Sequence, residues 1–285
     1  MLRVGPRVLP RVAFQQSRGH RYRLRFSKLG RASFISHLDT MRLLQRMLRR
    51  AGVEMIYSQG FHPKPELSFG PALALGVASL GEVCDLRVES REGLPIPADE
   101  LQRRLQAAAP EGIVIDDLVA LGDSDPLVTR LIAFSDLAIG VPVSGDLVTD
   151  LSQVATFAER PLLVQRRRKN ETATIDVGRY LVSAQVAPAA DAARLRAQLL
   201  WPETLAVLLA RVRIQGDGGA KPLEVAEALL CQAAPVGTRY ARVALSAEGG
   251  LDLCDLPLLR AMRAAQTAQA APAIEAPAPP TEPTV

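Results

Sequence analysis

An abrupt change in the spacing of apolar residues near the start of the chain most constrains its fold. Residues 21–26 alternate between arginine and the apolar Tyr22, Leu24 and Phe26, which predicts a β-strand with one basic face and one core face. From Ser36 onward the period becomes helical, and the basic residues form a stripe of their own. The apolar residues at helical spacing are Leu38, Met41, Leu44, Leu48 and Ala51. The chain therefore opens with a strand followed by an amphipathic helix.

The ends of this helix carry their own signals. Ser36, with Asp39 three residues later, is typical of an N-cap with a short capping box. Gly52 suits the left-handed residue that commonly follows the last helical turn. We therefore predict a helix between these two positions.

Similar strand and helix patterns continue along the chain and divide it into two parts. Beyond the first strand and helix, the first part has predicted strands at 53–57, 67–69, 83–88 and 113–115 and a helix at 99–109. After the turn-rich residues 122–126, the second part has predicted strands at 134–143, 162–166, 172–177, 204–214 and 240–245 and helices at 147–159 and 223–231. We expect an α+β protein of two ferredoxin-like (split βαβ) units packed together, at residues 21–120 and 130–248.

The two ends of the chain differ in composition from these units. Residues 1–20 contain four arginines and no acid, as in a transit peptide or an unstructured basic leader. Residues 264–285 are rich in alanine and proline and show no periodicity. We expect both ends to be disordered.

Several classes of protein are disfavoured by composition. Charged residues interrupt each apolar run before it reaches the length of about 18 residues that a membrane span needs. Cys84, Cys231 and Cys254 are odd in number and widely spaced, which favours free thiols over disulfides or a metal site. We expect a cytoplasmic protein with no membrane partner, no bound metal and no cofactor.

Basic residues are concentrated in the first unit. Between Arg21 and Gly70 there are ten basic and three acidic residues, a local balance of +7, which predicts a polyanion or an acidic protein face as partner. A further basic run lies in the second unit. The residues that we expect to contact RNA phosphates are Arg21, Arg23, Arg25, Lys28, Arg42, Arg46, Arg49, Arg50, Arg166, Arg167, Arg168 and Lys169.

Three residues are candidates for catalysis. His37 lies in the first turn of the predicted helix, where the helix dipole favours a neutral imidazole that can accept a proton. His62 and Lys64 lie in a loop at 58–66 whose Pro63 and Pro65, with Gly60 and Phe61, fix the conformation. A rigid loop of this kind can present both side chains to a phosphate, but each of the three residues also fits a purely structural role.

Several blocks of sequence occur in order with short gaps. The main blocks are Arg21-Tyr-Arg-Leu-Arg-Phe-Ser-Lys-Leu-Gly30, Phe34-Ile-Ser-His-Leu-Asp39, Tyr57-Ser-Gln-Gly-Phe-His-Pro-Lys-Pro65 and Leu67-Ser-Phe-Gly-Pro-Ala-Leu73. Together they resemble a bacterial domain family of unknown function that is associated with cobalamin-binding radical SAM proteins. The resemblance implies a standalone form without the radical SAM domain, because this chain lacks the spaced cysteines that ligate an iron–sulfur cluster.

Three functions are consistent with these observations. The first is an accessory or substrate-binding module that presents RNA, or an RNA-containing target, to a radical SAM partner. The second is a metal-independent endoribonuclease built on paired ferredoxin-like domains, with His37 or His62 as acid or base and Lys64 stabilising the phosphorane. The third is an adaptor that docks its basic face on an acidic partner enzyme. The fold alone does not decide between them.

Overall fold

The structure, a computed structural model, describes residues 19–59, 61–89, 94–143, 151–168, 171–216 and 219–255. Most of the predicted basic leader and all of the predicted Ala/Pro-rich tail lie outside the described residues. Gly60, Lys169 and the side chain of Arg168 lie outside them too.

The first half of the chain forms a split βαβ arrangement, as predicted. Its elements are β1 (His20–Lys28), α1 (His37–Arg50), β2 (Leu67–Phe69), β3 (Ala78–Val88), α2 (Ala98–Ala108) and β4 (Ile113–Leu121). The strands lie in the order β4-β1-β3-β2 and pair antiparallel. The predicted strand at 53–57 is reduced to isolated bridges at Met55 and Tyr57.

The second half repeats this strand order with two additions. Its elements are α3 (Val128–Leu131), β5 (Phe134–Pro142), β6 (Leu163–Arg168), β7 (Glu171–Asp176), β8 (Leu181–Val186), α4 (Ala189–Leu199), β9 (Leu205–Arg213), α5 (Pro222–Leu230) and β10 (Arg239–Ser246). Four of the strands lie in the order β10-β5-β9-β8, and β6 and β7 form a separate hairpin. The described part of the predicted helix at 147–159 consists of two 3-10 turns, Leu151–Val154 and Phe157–Glu159. The sequence did not reveal β8 or α4.

One continuous sheet of eight strands joins the two halves. β3 and β10 pair in parallel, with Ala78 opposite Ala241 and Ser79 opposite Arg242. A side chain at Gly81 would meet the Val243 carbonyl oxygen at 3.0 Å, so this close approach of the strands favours glycine. The expected mixed α+β fold is confirmed, with the two parts packed edge to edge in one sheet.

Helices cover both faces of this sheet. In the first half, α1 and α2 pack on Tyr22, Leu24 and Phe26 of β1 and their neighbours on β3 and β4. The opposite face of that half is covered by α3 and by residues 245–253. In the second half, α5 and the 3-10 turns cover one face, and α4 with Trp201 covers the other. The sheet is therefore enclosed on both sides, unlike a two-layer ferredoxin-like unit.

Helix α1 begins and ends as its sequence predicts. The Asp39 amide donates a hydrogen bond of 3.1 Å to the Ser36 hydroxyl, which in turn donates to the Asp39 carboxylate. Gly52 takes a left-handed conformation, with φ of 67°. Leu44, Met47 and Leu48 face the core. These caps fix the ends of the helix that carries the arginine stripe, which consists of Arg42, Arg46, Arg49 and Arg50.

Candidate functional site

The arginine in the middle of β1 lies in the protein interior. Arg23 has no exposed surface, and its guanidinium donates to both oxygens of Asp85 at 2.7 and 3.1 Å. It also donates to the carbonyl oxygens of Leu253 and Pro126, both at 2.8 Å. The basic face of β1, expected to meet water or a ligand, is here covered by segments that return from the second half of the chain.

The other basic residues of β1 are held by the fold as well. The Arg21 guanidinium donates to the carbonyl oxygen of Asp125 at 2.9 Å, and Arg25 forms ion pairs with Asp117 and Asp252. Lys28 is buried and donates to the Ile35 carbonyl oxygen at 3.0 Å, and this burial lowers its pKa. We therefore leave all four basic residues of β1 out of the surface that we propose below.

The arginines of α1 are exposed instead. Arg42 forms an ion pair of 3.1 Å with Asp39 in the preceding turn, and hydrogen bonds from Ser36 and Arg42 lower the pKa of Asp39. Arg49 approaches the Tyr57 hydroxyl at 3.4 Å. Within the described parts of the chain, neither Arg46 nor Arg50 forms a salt bridge, although the charge of Arg46 acts on Asp39 from a distance. The stripe therefore carries cationic groups that the protein does not neutralise.

The loop after Tyr57 lies beside the last turns of α1. Its base is closed by two hydrogen bonds, from the Ser58 amide to the Lys64 carbonyl oxygen at 2.8 Å and from the Lys64 amide to the Ser58 hydroxyl at 3.0 Å. Phe61, His62 and Pro63, which lie between these hydrogen bonds, are exposed, and Phe61 is fully so. The contact of Arg49 with Tyr57 joins the base of this loop to the arginine stripe, so the loop that carries Phe61 begins next to cationic groups.

The two candidate histidines are not brought together by any described contact. The His37 ring packs edge-on against Phe69 of β2, with ring centroids 5.6 Å apart. His62 is exposed in the loop, as is Lys64. Among the described residues neither histidine is paired with a carboxylate, and no group of three potential metal ligands is found. Among the described contacts, His37 and His62 therefore do not form an acid–base pair.

An apolar patch at the other end of α1 was missed from the sequence. Phe34, Leu38 and Leu75 are each exposed by 63% or more. Phe34 lies beside Gly76, whose amide donates to the Ser33 carbonyl oxygen at 3.0 Å. Leu38 fits the helical period but, at about 100° per residue, falls on the same face as Arg42 and Arg49. The position of Leu38 on the arginine face of the helix was the sequence signal that this side chain is exposed.

The basic run of the second half divides into bound and free residues. Arg166 forms a mostly buried ion pair with Glu224 at 2.6 Å, and it also donates to the Gly219 carbonyl oxygen at 2.8 Å. The hydrogen bond to Glu224 raises the pKa of Arg166. Arg166 therefore ties the β6–β7 hairpin to α5, whereas Arg167 is exposed.

A comparison with protein families gives one match. The family model described as "Uncharacterized protein conserved in bacteria (DUF2344)" matches residues 21–215, from the start of β1 to the end of β9. No curated protein matches the chain. None of the helices in the described ranges has the length and apolar character to cross a membrane.

Proposed function

We propose that this chain, which belongs to the family of uncharacterized conserved bacterial proteins (DUF2344), is a binding module for RNA. One observation carries the proposal: the exposed arginines of α1 stand beside a closed loop whose aromatic ring is fully exposed. We call this set the α1–loop surface. Its members are Arg42, Arg46, Arg49, Arg50, Phe61, His62 and Lys64.

Physical chemistry supports RNA as the ligand of the α1–loop surface. When arginines without a salt bridge contact phosphates, counterions that were condensed on the nucleic acid are released. This release supplies most of the non-specific affinity for nucleic acids. An exposed aromatic ring adds stacking on an unpaired base, which contributes about 1–3 kcal/mol. Arg46 and Arg50 provide the cations, and Phe61 provides the ring.

The biological role that we propose is that of an accessory protein. The blocks of sequence at 21–30, 34–39 and 57–73 resemble a family associated with cobalamin-binding radical SAM proteins. We propose that the chain presents an RNA, or an RNA-containing target, to such a partner in the cytoplasm. The radical chemistry then belongs to the partner.

A protein-binding adaptor is the second candidate. The exposed apolar patch of Phe34, Leu38 and Leu75 at the start of α1 favours it, because such side chains are typical of protein interfaces. The endoribonuclease alternative gains no comparable support, since no contact among the described residues brings His37 and His62 together.

The proposal is tested by fluorescence anisotropy with a pool of cellular tRNA and rRNA fragments at two salt concentrations. Arg46→Glu/Arg50→Glu is the test variant. Arg130→Glu/Arg239→Glu, at two exposed positions outside the α1–loop surface, changes the net charge by the same amount and is the control. Losing two phosphate contacts is expected to reduce the slope of log K against log salt by about 1.4, at about 0.7 per contact for a single strand.

Each result separates the candidate functions. Weaker binding by the α1 variant alone supports the RNA module, and a further loss in Phe61→Ala identifies stacking. Equal loss in both charge variants would show that net charge, not the α1–loop surface, attracts RNA. If neither the wild type nor a variant binds, RNA is not the ligand and capture of a radical SAM partner by the patch of Phe34, Leu38 and Leu75 is tested next.

A further inference from the structure

A cleft lies where the two halves of the chain meet, away from the α1–loop surface. It has a volume of about 420 Å³ and is bounded by residues 71–74, by β5, β9 and β10, and by the start of α5. Most of its wall is apolar and includes Leu73, Leu137, Val212 and Ile214. Clefts of about 300–1,000 Å³ with mostly apolar walls and a few polar groups are typical of small-molecule sites.

Two polar atoms in the wall of this cleft lack a hydrogen-bond partner among the described residues. Ser135 and Arg242 are each only 6% exposed. Neither the Ser135 hydroxyl nor the Arg242 Nε atom has a hydrogen-bond partner among the described residues. Leaving a buried polar group unpaired costs about 1–3 kcal/mol, so such a group normally has a hydrogen-bond partner in the protein or in a ligand. Both residues line the same cleft, and a ligand there can satisfy them.

The described lining of the cleft is basic. Its ionisable side chains are Arg213, Lys221 and Arg242, and no described lining residue is acidic. Arg213 and Arg242 are paired with Glu248 and Glu82, and the exposed Lys221 lies near Glu224, whose carboxylate accepts from the Lys221 amide at 2.8 Å. Lys221 is also the N-cap of the nine-residue α5, where the helix dipole adds positive potential. Because these three acids lie outside the described lining, the wall of the cleft favours a ligand with a negative group.

We propose that this cleft binds a small molecule with an apolar body and one anionic group, either a carboxylate or a phosphate monoester. The apolar body lies against Leu137, Val212 and Ile214, and the anionic group lies toward Lys221 and the start of α5. The Ser135 hydroxyl donates a hydrogen bond to the ligand deeper in the cleft. This site goes beyond the proposed RNA surface and does not depend on it.

Methyl NMR titrations of the full chain test the proposal with three matched probes. Hexanoate and hexyl phosphate carry an anion on the same six-carbon chain, and hexanol carries none. Either anion is expected to shift the methyl signals of Leu73, Leu137, Val212 and Ile214, while hexanol at equal concentration leaves them in place. The anion that binds more tightly shows whether the cleft prefers a carboxylate or a phosphate monoester.

Three variants make the test specific to this cleft. Lys221→Ser removes the cation toward which the anionic group is directed and is expected to weaken binding about tenfold, and Ser135→Ala about fivefold. Because the Ser135 hydroxyl is unpaired in the free protein, Ser135→Ala leaves the thermal midpoint unchanged or raises it. Ala72→Phe, at an exposed position in the wall, blocks the cleft and abolishes the shifts. RNA binding is expected to survive all three changes.

Several results would overturn the proposal. Equal shifts with hexanol would show an apolar cleft without preference for anions. Shifts that persist in Ala72→Phe would place the binding elsewhere on the protein. The absence of any shift up to the solubility limit of the two anions would exclude this class of ligand. A lower thermal midpoint in Ser135→Ala would mean that the hydroxyl already has a partner in the protein.

Discussion

Replacing Asp85 by asparagine tests the burial of the basic face of β1. The Asp85 carboxylate accepts from Arg23 through both oxygens and from the Val128 amide at 2.7 Å. Asparagine keeps the shape of the side chain but removes the charge that balances a fully buried guanidinium. Breaking a buried ion pair from one side costs about 3–5 kcal/mol. That loss is a large part of a typical unfolding free energy of about 5–15 kcal/mol.

A double-mutant cycle separates the interaction energy between Arg23 and Asp85 from the energies of their contacts with other residues. If Arg23→Met and Asp85→Leu each cost about 4 kcal/mol, independent effects would sum to about 8 kcal/mol. The double variant leaves the Leu253 and Pro126 carbonyl oxygens and the Val128 amide unpaired, at about 1 kcal/mol each. We therefore expect a total loss of about 3 kcal/mol and a coupling of about 5 kcal/mol.

The assay is urea unfolding monitored by circular dichroism. The urea midpoints are compared with the dependence of the unfolding free energy on urea concentration held constant. Asp191→Asn is the matched control, because it breaks a solvent-exposed pair with Arg194 that is expected to contribute less than about 1 kcal/mol. An equally small loss for Asp85→Asn would refute the reasoning. Arg23 would then be solvated, and the basic face of β1 would return as a surface for RNA.

Three further predictions concern strain, thiols and pH. Leu200 is left-handed, with φ of 54°, and exposed at the end of α4, so Leu200→Gly is expected to raise the unfolding free energy by about 1 kcal/mol in urea, whereas Leu200→Ala gives no such gain. With a thiol reagent at neutral pH, the exposed Cys231 is expected to react in a fast phase, while the folded protein protects Cys84 and Cys254. Burial raises the pKa of Cys254 to about 12, which keeps its thiol protonated. Cys231→Ser is expected to remove the fast phase. Burial also raises the pKa of Tyr240 from 10.0 to about 12, so its contribution to stability is fully present below pH 10 and is lost as the pH rises toward 12. The unfolding free energy of Tyr240→Phe is therefore expected to fall less steeply with pH over this range than that of the wild type.

Several strands of the second half could be predicted from local sequence patterns. β9 and β10 were predicted within about one residue of their ends, because apolar runs between turns identify buried strands. In contrast, β8 and α4 were missed. α4 is rich in alanine and starts at Pro188 without a side-chain cap, so neither contrast between faces nor a capping residue marked it.

The division between structural and free arginines could not be read from local sequence, because the partners of β1 lie far along the chain. Arg23 is bound by Asp85, Pro126 and Leu253, which are separated from it by 62, 103 and 230 residues. One signal was available once the strands were placed side by side, since Asp85 lies directly opposite Arg23 on β3 and Asp117 opposite Arg25 on β4. The local excess of basic residues therefore overstates what a ligand meets, and in the described part of the chain Arg46 and Arg50 of α1 are exposed cations without a salt bridge. For this reason the comparison of Arg46→Glu/Arg50→Glu with its charge-matched control tests the RNA proposal more sharply than any change on β1.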